Sequence, residues 1–112
     1  MGYNSSVLPQ GRLYDQSLVP MDTHGRMCCP HVCVGPAVTG SPDVLVNGLS
    51  ALRVSDRGIH ALCCGPNTWV AGRGSSTVFI NNLPAHRLTD FDQHCGGAGF
   101  LIGGSPNVLV GG

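Results

Sequence analysis

Short apolar runs, rich in valine, leucine and isoleucine, alternate along this chain with turn residues and glycine-rich loops. The run at residues 44–46 is followed by the pair Asn47-Gly48 and then by a second run at residues 51–54. The same order returns at residues 78–88, where the turn pair is Asn-Asn, and it begins again at residues 108–110. Two short strands around Asn-Gly or Asn-Asn are typical of a β-hairpin, because asparagine and glycine tolerate the positive φ of a tight turn. We therefore predict two complete hairpins and a third that the chain ends before completing.

These hairpins belong to an internal repeat. Residues 40–56, GSPDVLVNGLSALRVSD, recur at an offset of 34 positions as residues 74–90, GSSTVFINNLPAHRLTD, with 8 identities in 17 positions. A truncated third copy, GSPNVLVG, opens at Gly104. A repeat this regular indicates one small unit used about three times, either stacked or arranged around an axis. The hairpins are too short to be stable alone, so they must pair with one another, with the N-terminal segment or with strands of another protein.

The composition favours an all-β domain and argues against two functional classes. Of the 112 residues only 11% are charged, and the chain contains Arg and Asp but no Lys and no Glu. Because Lys and Glu favour helices, their absence together with 17 Gly and 8 Pro argues against a helical protein. A net charge of zero without a basic run argues against a nucleic-acid partner. No apolar stretch is long enough to span a membrane.

We divide the chain into an N-terminal arm at residues 1–21 and a repeat domain at residues 22–112. The first segment is polar, rich in turn residues and precedes the first clear repeat. We therefore expect it to be weakly ordered unless it docks on a partner. It also lacks the basic start and the apolar core of a signal peptide, which predicts synthesis in the cytoplasm without a leader.

Cysteine and histidine concentrate in three loops between the hairpins. The loops read HGRMCCPHVCVG from His24, HALCCG from His60 and HCGGAG from His94, while His86 stands apart in a hairpin. A disulfide framework would suit the even number of cysteines, but vicinal Cys pairs and a reducing cytoplasm disfavour it. Equivalent loops of a threefold fold would converge on its axis, where a tetrahedral zinc requires about four His or Cys ligands. Because the chain has few aromatic residues for a core, such a metal would also supply folding energy.

The order of these motifs resembles the PAAR-repeat proteins. The resemblance runs over residues 22–112 and is carried by Pro-His31-x-Cys33 before GSPDVLVNG, by Asp56 and His60 before a CC pair, and by GSSTVFINNLPAHRLTD before HCGG. It implies a small cone-shaped, pseudo-threefold fold of β-hairpin repeats with one structural zinc near the apex. It also implies a base that caps a trimeric β-helical spike in type VI secretion systems, contractile phage tails or related contractile injection systems.

The zinc ligands that the resemblance implies are His31, His60, His94 and Cys95. The family's usual set is three His and one Cys, and position assigns the ligand of the first loop to His31, that of the second to His60, and the Cys to Cys95. Many relatives carry another His shortly after the CC pair, where this chain reads GPNTWVAGR, so His94 is the natural replacement. Adjacent residues of a strand face opposite sides, so His94 and Cys95 can share a metal only from a turn. The alternatives left open are His24, Cys33, Cys63 and Cys64.

The resemblance implies a structural protein and not an enzyme. One copy of the chain would cap and sharpen a homotrimeric spike and would aid the piercing of a target envelope through transient membrane contact. It would sit at the spike tip, leave the cell with it and optionally carry effectors. The contact with the spike should be apolar and backbone-mediated, because charged residues are scarce and open strand edges require pairing. The sequence names neither the injection machine nor an effector.

Two other functional classes are compatible with a zinc-binding chain. A zinc hydrolase needs an open coordination position and a carboxylate base, whereas this chain has no Glu and its Asp residues recur at repeat-equivalent positions. A zinc-stabilised binding module outside an injection machine would explain the metal, and the zero net charge disfavours its nucleic-acid-binding form. Both therefore rank below the spike-tip hypothesis.

Two pairs of charged residues and the tryptophan have structural interpretations. Arg53 with Asp56 and Arg87 with Asp90 recur at the same offset, which predicts ion pairs with a structural role. Surface pairs of this kind contribute little to stability. We expect Trp69 to pack at the base rather than to bind a cofactor.

Overall fold

The computed structural model describes residues 7–22, 31–59, 68–94 and 97–111. These residues form strands, turns and bends and contain no helix, so the predicted all-β class is confirmed. The strands, in chain order, are β1 (Leu8–Pro9), β2 (Gln16–Asp22), β3 (His31–Pro36), β4 (Leu45–Val46), β5 (Leu49–Ser50), β6 (Arg57–Ile59), β7 (Thr68–Ala71), β8 (Phe79–Ile80), β9 (Leu83–Pro84), β10 (Phe91–His94), β11 (Gly97–Leu101) and β12 (Leu109–Val110).

Half of these strands form one curved antiparallel sheet. Its order is β3-β2-β11-β10-β7-β6, and each neighbouring pair runs antiparallel. A bridge between Ala37 and Gly58 joins the two edges of the sheet, and Val38 N donates to the Arg57 carbonyl beside it at 2.8 Å. The sheet therefore closes almost completely on itself, in the manner of a small β-barrel.

The other strands form a layer of two-stranded hairpins, which we call the hairpin layer: β4 with β5, β8 with β9, and β12 with β1. The predicted tight turns are present in the first two pairs. Asn47 and Gly48 have φ values of 55° and 80°, and Asn81 and Asn82 have values of 53° and 67°. Two consecutive residues with positive φ are the hallmark of the hairpin turn that matches the right-handed twist of short strands.

The third hairpin is completed by the N-terminal segment, which corrects two sequence-based expectations. Leu8 pairs with Val110 and Pro9 with Leu109, so the strand begun at residues 108–110 has its partner in β1 rather than none. The described residues of the expected weakly ordered arm, 7–21, are part of the fold, and β2 crosses the boundary placed at residue 22. The physical reason is visible in the sequence, because LPQGRLYD from Leu8 matches LPAHRLTD from Leu83 at 5 of 8 positions.

A closed ring of backbone hydrogen bonds relates the three units. Gly11 N donates to the His86 carbonyl at 2.9 Å, His86 N to the Leu52 carbonyl at 3.0 Å, and Leu52 N to the Gly11 carbonyl at 3.0 Å. The buried side chain of Gln10 covers this ring, because its Nε2 lies between 2.8 and 3.1 Å from the same three carbonyl oxygens. The three units therefore make equivalent contacts around one axis, as the repeat predicts.

Two small apolar clusters fill the interior. The cluster inside the hairpin layer consists of one inward residue from each hairpin and two alanines, namely Val46, Ile80, Val110, Ala51 and Ala85. The cluster inside the barrel-like sheet consists of Ala37, Leu52, Trp69 and Leu101. The other buried side chains of this sheet are mixed, because Val19 and Cys33 are apolar whereas Ser17, Asp92 and His94 are polar. The apolar core is thus modest, which limits how much burial alone can stabilise the fold.

Three equivalent turns connect the hairpin layer to the barrel-like sheet. Each begins with Arg and ends with Asp, and the Asp N–H donates to the Arg carbonyl at 2.9–3.0 Å. The third residue of each turn has positive φ, with values of 75° at Tyr14, 83° at Ser55 and 72° at Thr89. This is the backbone of a type II turn, in which glycine normally takes that position. The three turns therefore hold a strained residue where the side-chain contacts of Arg and Asp fix the geometry.

Replacing Thr89 by glycine is expected to stabilise the protein by about 1 kcal/mol, because a β-branched residue in the left-handed region is more strained than glycine even after the entropy of glycine is counted. Urea-induced unfolding measures the change in the free energy of unfolding. Thr68→Gly is the control, since Thr68 is exposed but outside the set of residues with positive φ, and this variant should be destabilised. A Thr89→Gly variant that is less stable than the wild type would contradict the conclusion that Thr89 is strained in this turn.

Candidate functional site

The described strand ends that flank the three Cys/His loops lie at one end of the barrel-like sheet, which we call the loop end. The strand pairs that flank the loops end with Asp22 opposite His31, Ile59 opposite Thr68, and His94 opposite Gly97. Because neighbouring strands are antiparallel throughout, all six of these strand ends lie on the same side of the sheet. The hairpin layer is attached at the opposite ends of the same strands. The loop end and the hairpin layer thus lie at opposite ends of the barrel-like sheet.

His94 is the candidate ligand whose side chain the structure describes, and it is held from three sides. Its ring is buried and stacks on Trp69, with ring centroids 6.0 Å apart and planes inclined by 29°. Its Nε2 lies 2.8 Å from the hydroxyl oxygen of Ser17. It lies directly over Gly99, where a Cβ atom would come within 2.8 Å of Nε2. Such a histidine has a fixed ring orientation before any ligand binds.

Of the other three predicted ligands, one lies in a described strand and two lie outside the described residues. His31 is the first residue of β3, and His60 and Cys95 lie outside the described residues. The described strands on either side of Cys95 end with His94 paired to Gly97. The described residues alone contain no group of three His, Cys or Asp side chains placed to hold a metal. What the structure describes is that the flanking strand ends lie at one end of the sheet and that the imidazole of His94 is held by Ser17 and Trp69.

Of the four alternative ligands, Cys33 is the one that lies within the described residues. Cys33 is buried in β3, opposite Val19 of β2. His24, Cys63 and Cys64 lie outside the described residues. The structure therefore leaves the choice between these groups to experiment.

A second buried histidine, His86, lies beside the axis and faces an acidic residue that the sequence analysis did not single out. His86 Nε2 lies 2.7 Å from Asp92 Oδ1, and both side chains are fully buried. The contact has the separation of an ion pair without the alignment of a hydrogen bond. His86 Nδ1 is 2.6 Å from the carbonyl oxygen of Arg73. At the repeat-equivalent positions the chain has Leu52 and Gly11, so this polar contact is peculiar to one unit.

Trp69 corrects the expectation that the tryptophan packs at the base. It is 1% exposed in β7 and belongs to the core cluster of the barrel-like sheet, toward the loop end. Its Nε1 donates to the Ile59 carbonyl at 3.2 Å, and its ring covers Gly58, where a Cβ atom would overlap the indole. The sequence signal that could have indicated this place is the glycine directly opposite in the neighbouring strand, because a large ring needs such a gap.

The hairpin layer exposes one apolar side chain per unit at equivalent positions. Leu45, Phe79 and Leu109 begin β4, β8 and β12 and are 64%, 56% and 58% exposed. Their neighbours along each strand point inward and form the buried cluster of this layer. Since side chains alternate across a strand, the three exposed residues lie on the outward face of the layer. We call them the outer apolar triad, and such a set of exposed apolar residues is typical of a binding surface.

Polar contacts fix the hairpins relative to one another. Asn47 Nδ2 donates to Asn107 Oδ1, and Asn81 Nδ2 donates to Asp43 Oδ1, both at 2.9 Å. The hydrogen bond from Asn81, followed by that from Ser41, lowers the pKa of Asp43. Because a depressed carboxyl pKa stabilises the folded state above the unfolded-state pKa, this contact is lost as the pH falls through the folded-state pKa. The orientation of the outer apolar triad is thus set by a hydrogen-bonded frame.

The Arg and Asp pairs of the three turns are more deeply buried than the sequence analysis assumed. The side chains of Arg87 and Asp90 are 7% and 6% exposed, with Nε and Oδ2 2.8 Å apart. Arg53 with Asp56 and Arg12 with Asp15 repeat this contact at 3.0 Å. Hydrogen bonding to Asp15 raises the pKa of Arg12, and hydrogen bonding to Asp56 raises that of Arg53. The expectation of weak surface pairs is therefore wrong, because each Asp also accepts the backbone N–H of its Arg and closes the turn.

Within the part of the chain that the structure describes, no helix combines the length and the hydropathy of a membrane span.

Comparison with known proteins agrees with this architecture. The chain is 34% identical over 91 residues to the NAD(P)(+) glycohydrolase toxin Tse6 of Pseudomonas aeruginosa, a match that covers 74% of this chain and 20% of the toxin. The (p)ppApp synthetase toxin Tas1 of Pseudomonas aeruginosa matches with the same identity and coverage. The double-stranded DNA deaminase toxin A of Burkholderia cenocepacia is 45% identical over 56 residues, which cover 50% of this chain and 4% of the toxin.

The chain thus spans a fifth or less of the length of these curated relatives. The model of the PAAR motif family matches residues 29–99. This range includes the second Cys/His loop, both complete hairpins, the buried His86 and the preset His94. The matched region covers more than half of the chain, and the chain belongs to the PAAR motif family.

Proposed function

We propose that this chain is the non-enzymatic tip of a contractile injection spike, with its hairpin layer seated on a homotrimeric β-helical spike protein. The observation that carries the proposal is the outer apolar triad, in which an exposed apolar residue recurs at the equivalent position of each of the three units of one polypeptide. A trimer presents three equivalent chain ends around its axis, and a single chain can match them only with three similar edges. Membership of the PAAR motif family supports the same interpretation.

The stoichiometry follows from this symmetry. Because the ring of hydrogen bonds through Gly11, Leu52 and His86 uses all three units of one chain, one copy suffices for one trimeric spike. The contact is apolar at Leu45, Phe79 and Leu109, so it should persist at high salt, unlike a contact made by charges. Among the described residues, the Arg and Asp pairs of the turns are turned into the fold and are already paired.

The loop end is proposed as the leading end, held together by one zinc ion on His31, His60, His94 and Cys95. The location of the flanking strand ends at one end of the sheet and the held ring of His94 support this assignment. When bound, such a metal would supply folding energy and would hold the three loops as a compact point. The tip would leave the cell with its spike and contact the target envelope only in passing.

Effector cargo is a further part of the proposal. The relatives are toxins in which the matched region is a small part of a much longer chain. The region shared with them is the PAAR region, so their toxic activities belong to the rest of those chains. We propose that the present chain plays the same carrier role and that its own residues perform no catalysis.

Replacing Phe79 by aspartate is expected to weaken binding to the trimeric spike protein of the host by about 10- to 30-fold, because a central apolar contact is replaced by a charge that must be desolvated. Substituting all three residues of the outer apolar triad should remove binding. The measurement is co-purification followed by native mass spectrometry, with one chain per three spike chains expected for the wild type.

The matched control is Tyr14→Asp, since Tyr14 is 62% exposed but lies in a turn outside the hairpin layer. This variant should bind as the wild type does, and binding of the wild type should be unchanged in about 0.5 M salt. Three copies per spike, dissociation at moderate salt, or equal loss of binding in Tyr14→Asp would refute the proposed interface.

A further inference from the structure

The environment of His94 fixes more than the orientation of its ring. The imidazole extends from β10 across Gly99 of β11 and reaches Ser17 of β2, where Nε2 and the hydroxyl oxygen are 2.8 Å apart. Ser17 is fully buried, so no water competes for this contact at its surface. The two strands are not neighbours in the sheet, and the missing side chain of Gly99 is what lets the ring reach Ser17.

The hydrogen-bond partners of Ser17 decide which ring nitrogen carries a proton. The Ser17 hydroxyl donates to the carbonyl oxygen of Phe100 at 3.2 Å. A carbonyl oxygen can only accept, and a serine hydroxyl has a single proton. Once that proton is directed at Phe100, the Ser17 oxygen presents a lone pair to Nε2. In this arrangement Nε2 is the donor to Ser17, and the ring carries its proton on Nε2.

We infer that Ser17 is a positioning residue for a metal at the loop end: it holds the Nε2 proton of His94, so that His94 can bind zinc only through Nδ1. Trp69 and Gly99 restrict the plane of the ring through the stacked indole and the close backbone, and the contact with Ser17 selects between the two flips of the ring in that plane. Metal-binding histidines commonly donate their second N–H to an oxygen that fixes the tautomer. This inference rests on the proposed zinc, and it adds the nitrogen that binds and the residues that select it.

The direct test is long-range ¹H–¹⁵N correlation NMR of the ¹⁵N-labelled full chain loaded with ¹¹³Cd²⁺. We expect a ¹¹³Cd coupling to Nδ1 of His94 and a proton on its Nε2. A coupling to Nε2 would overturn the inference, and so would a metal-loaded protein in which neither ring nitrogen of His94 is coupled. A protein that takes up no metal would overturn it as well.

Substitution of Ser17 supplies the second test. Ser17→Ala is expected to lower zinc affinity by about 10- to 100-fold in competition with a chelator and to let the His94 ring populate both tautomers. Ser17→Thr keeps a hydroxyl at the same atom and should restore the single tautomer and most of the affinity. Unchanged tautomer and affinity in Ser17→Ala would contradict the role of this residue.

A matched control separates positioning from general stability, because zinc binding and folding are coupled. Ser75 is also buried, and its hydroxyl accepts the backbone N–H of Val78 at 2.8 Å within the hairpin layer. Ser75→Ala should be destabilised but should keep the His94 tautomer. Capture by the trimeric spike protein is measured separately. If the chain binds the spike but the metal is on Nε2, the inference is rejected and the spike-tip function is retained. If the metal is on Nδ1 but the chain does not bind the spike, the inference is retained and the spike-tip function is rejected.

Discussion

Removing the zinc that we propose at the loop end is expected to unfold most of this protein. The described apolar core contains two small clusters, and polar side chains are also buried in the barrel-like sheet, among them Ser17, Asp92 and His94. A structural zinc site contributes roughly 10 kcal/mol or more to folding, which is comparable to the whole stability of a typical domain of about 5–15 kcal/mol. Circular dichroism during thermal unfolding, with and without a strong chelator, measures the effect, and added zinc should restore the transition.

The chelator saturated with zinc beforehand serves as the control and should leave the unfolding transition in place. Among variants, His60→Ala and His94→Ala should lose the metal and the folded state together, whereas His24→Ala should retain both. Superimposable melting curves with and without chelator would contradict a structural metal. A His60→Ala variant that stays folded with full zinc would show that the ligand set is wrong, and Cys63 or Cys64 would then be the next candidates.

Replacing Arg87 by methionine is expected to lower the free energy of unfolding by about 3–5 kcal/mol, because the carboxylate of Asp90 would stay buried without its cation. Both side chains are below 10% exposure, and two parallel hydrogen bonds join them, Nε to Oδ2 at 2.8 Å and a second guanidinium nitrogen to Oδ1 at 3.0 Å. Methionine keeps much of the aliphatic length, so the loss reports on the charge rather than on packing. Urea-induced unfolding of the zinc-saturated protein measures the change.

The repeat supplies the matched control for this prediction. Arg12 makes the same contacts with Asp15, but the two side chains are 18% and 11% exposed. Partial exposure lets water solvate the carboxylate that remains, so Arg12→Met should cost about half as much or less. Adding 0.5 M salt should change neither loss by more than a small fraction, because buried pairs are weakly screened. An equal cost in Arg12→Met and Arg87→Met would refute burial as the reason.

Local signals made the repeat and its turns predictable. The pairs Asn47-Gly48 and Asn81-Asn82 indicate the turn positions directly, because few residues adopt positive φ without strain. The recurrence of Arg and Asp at fixed spacing predicted the ion pairs, although their burial depends on how the hairpin layer meets the barrel-like sheet. The three Cys/His loops were predictable as equivalent, and the antiparallel order of the strands explains why they share one end.

The part of the chain before residue 22 was misjudged for a physical reason. Its similarity to Leu83–Asp90 is short, and the pairing of β1 with β12 joins residues about a hundred positions apart. Local patterns carry no information on such a contact, because it forms only when the other units have already defined the axis. The position of Trp69 was predicted wrongly for the same reason, because its partners Gly58 and His94 lie on neighbouring strands and not on its own.

By itself the sequence determined the all-β class, the repeated unit, the hairpin turns, the three Cys/His loops and the resemblance to PAAR-repeat proteins. These features depend on backbone preferences and on spacing, which are local properties of the chain. The tertiary structure alone decided that residues from both ends of the chain complete the third hairpin, that the ion pairs are buried, and that Ser17, Trp69 and Gly99 surround His94. Each of these depends on which strands become neighbours, and strand order follows from the closure of the whole sheet around its axis rather than from any single segment.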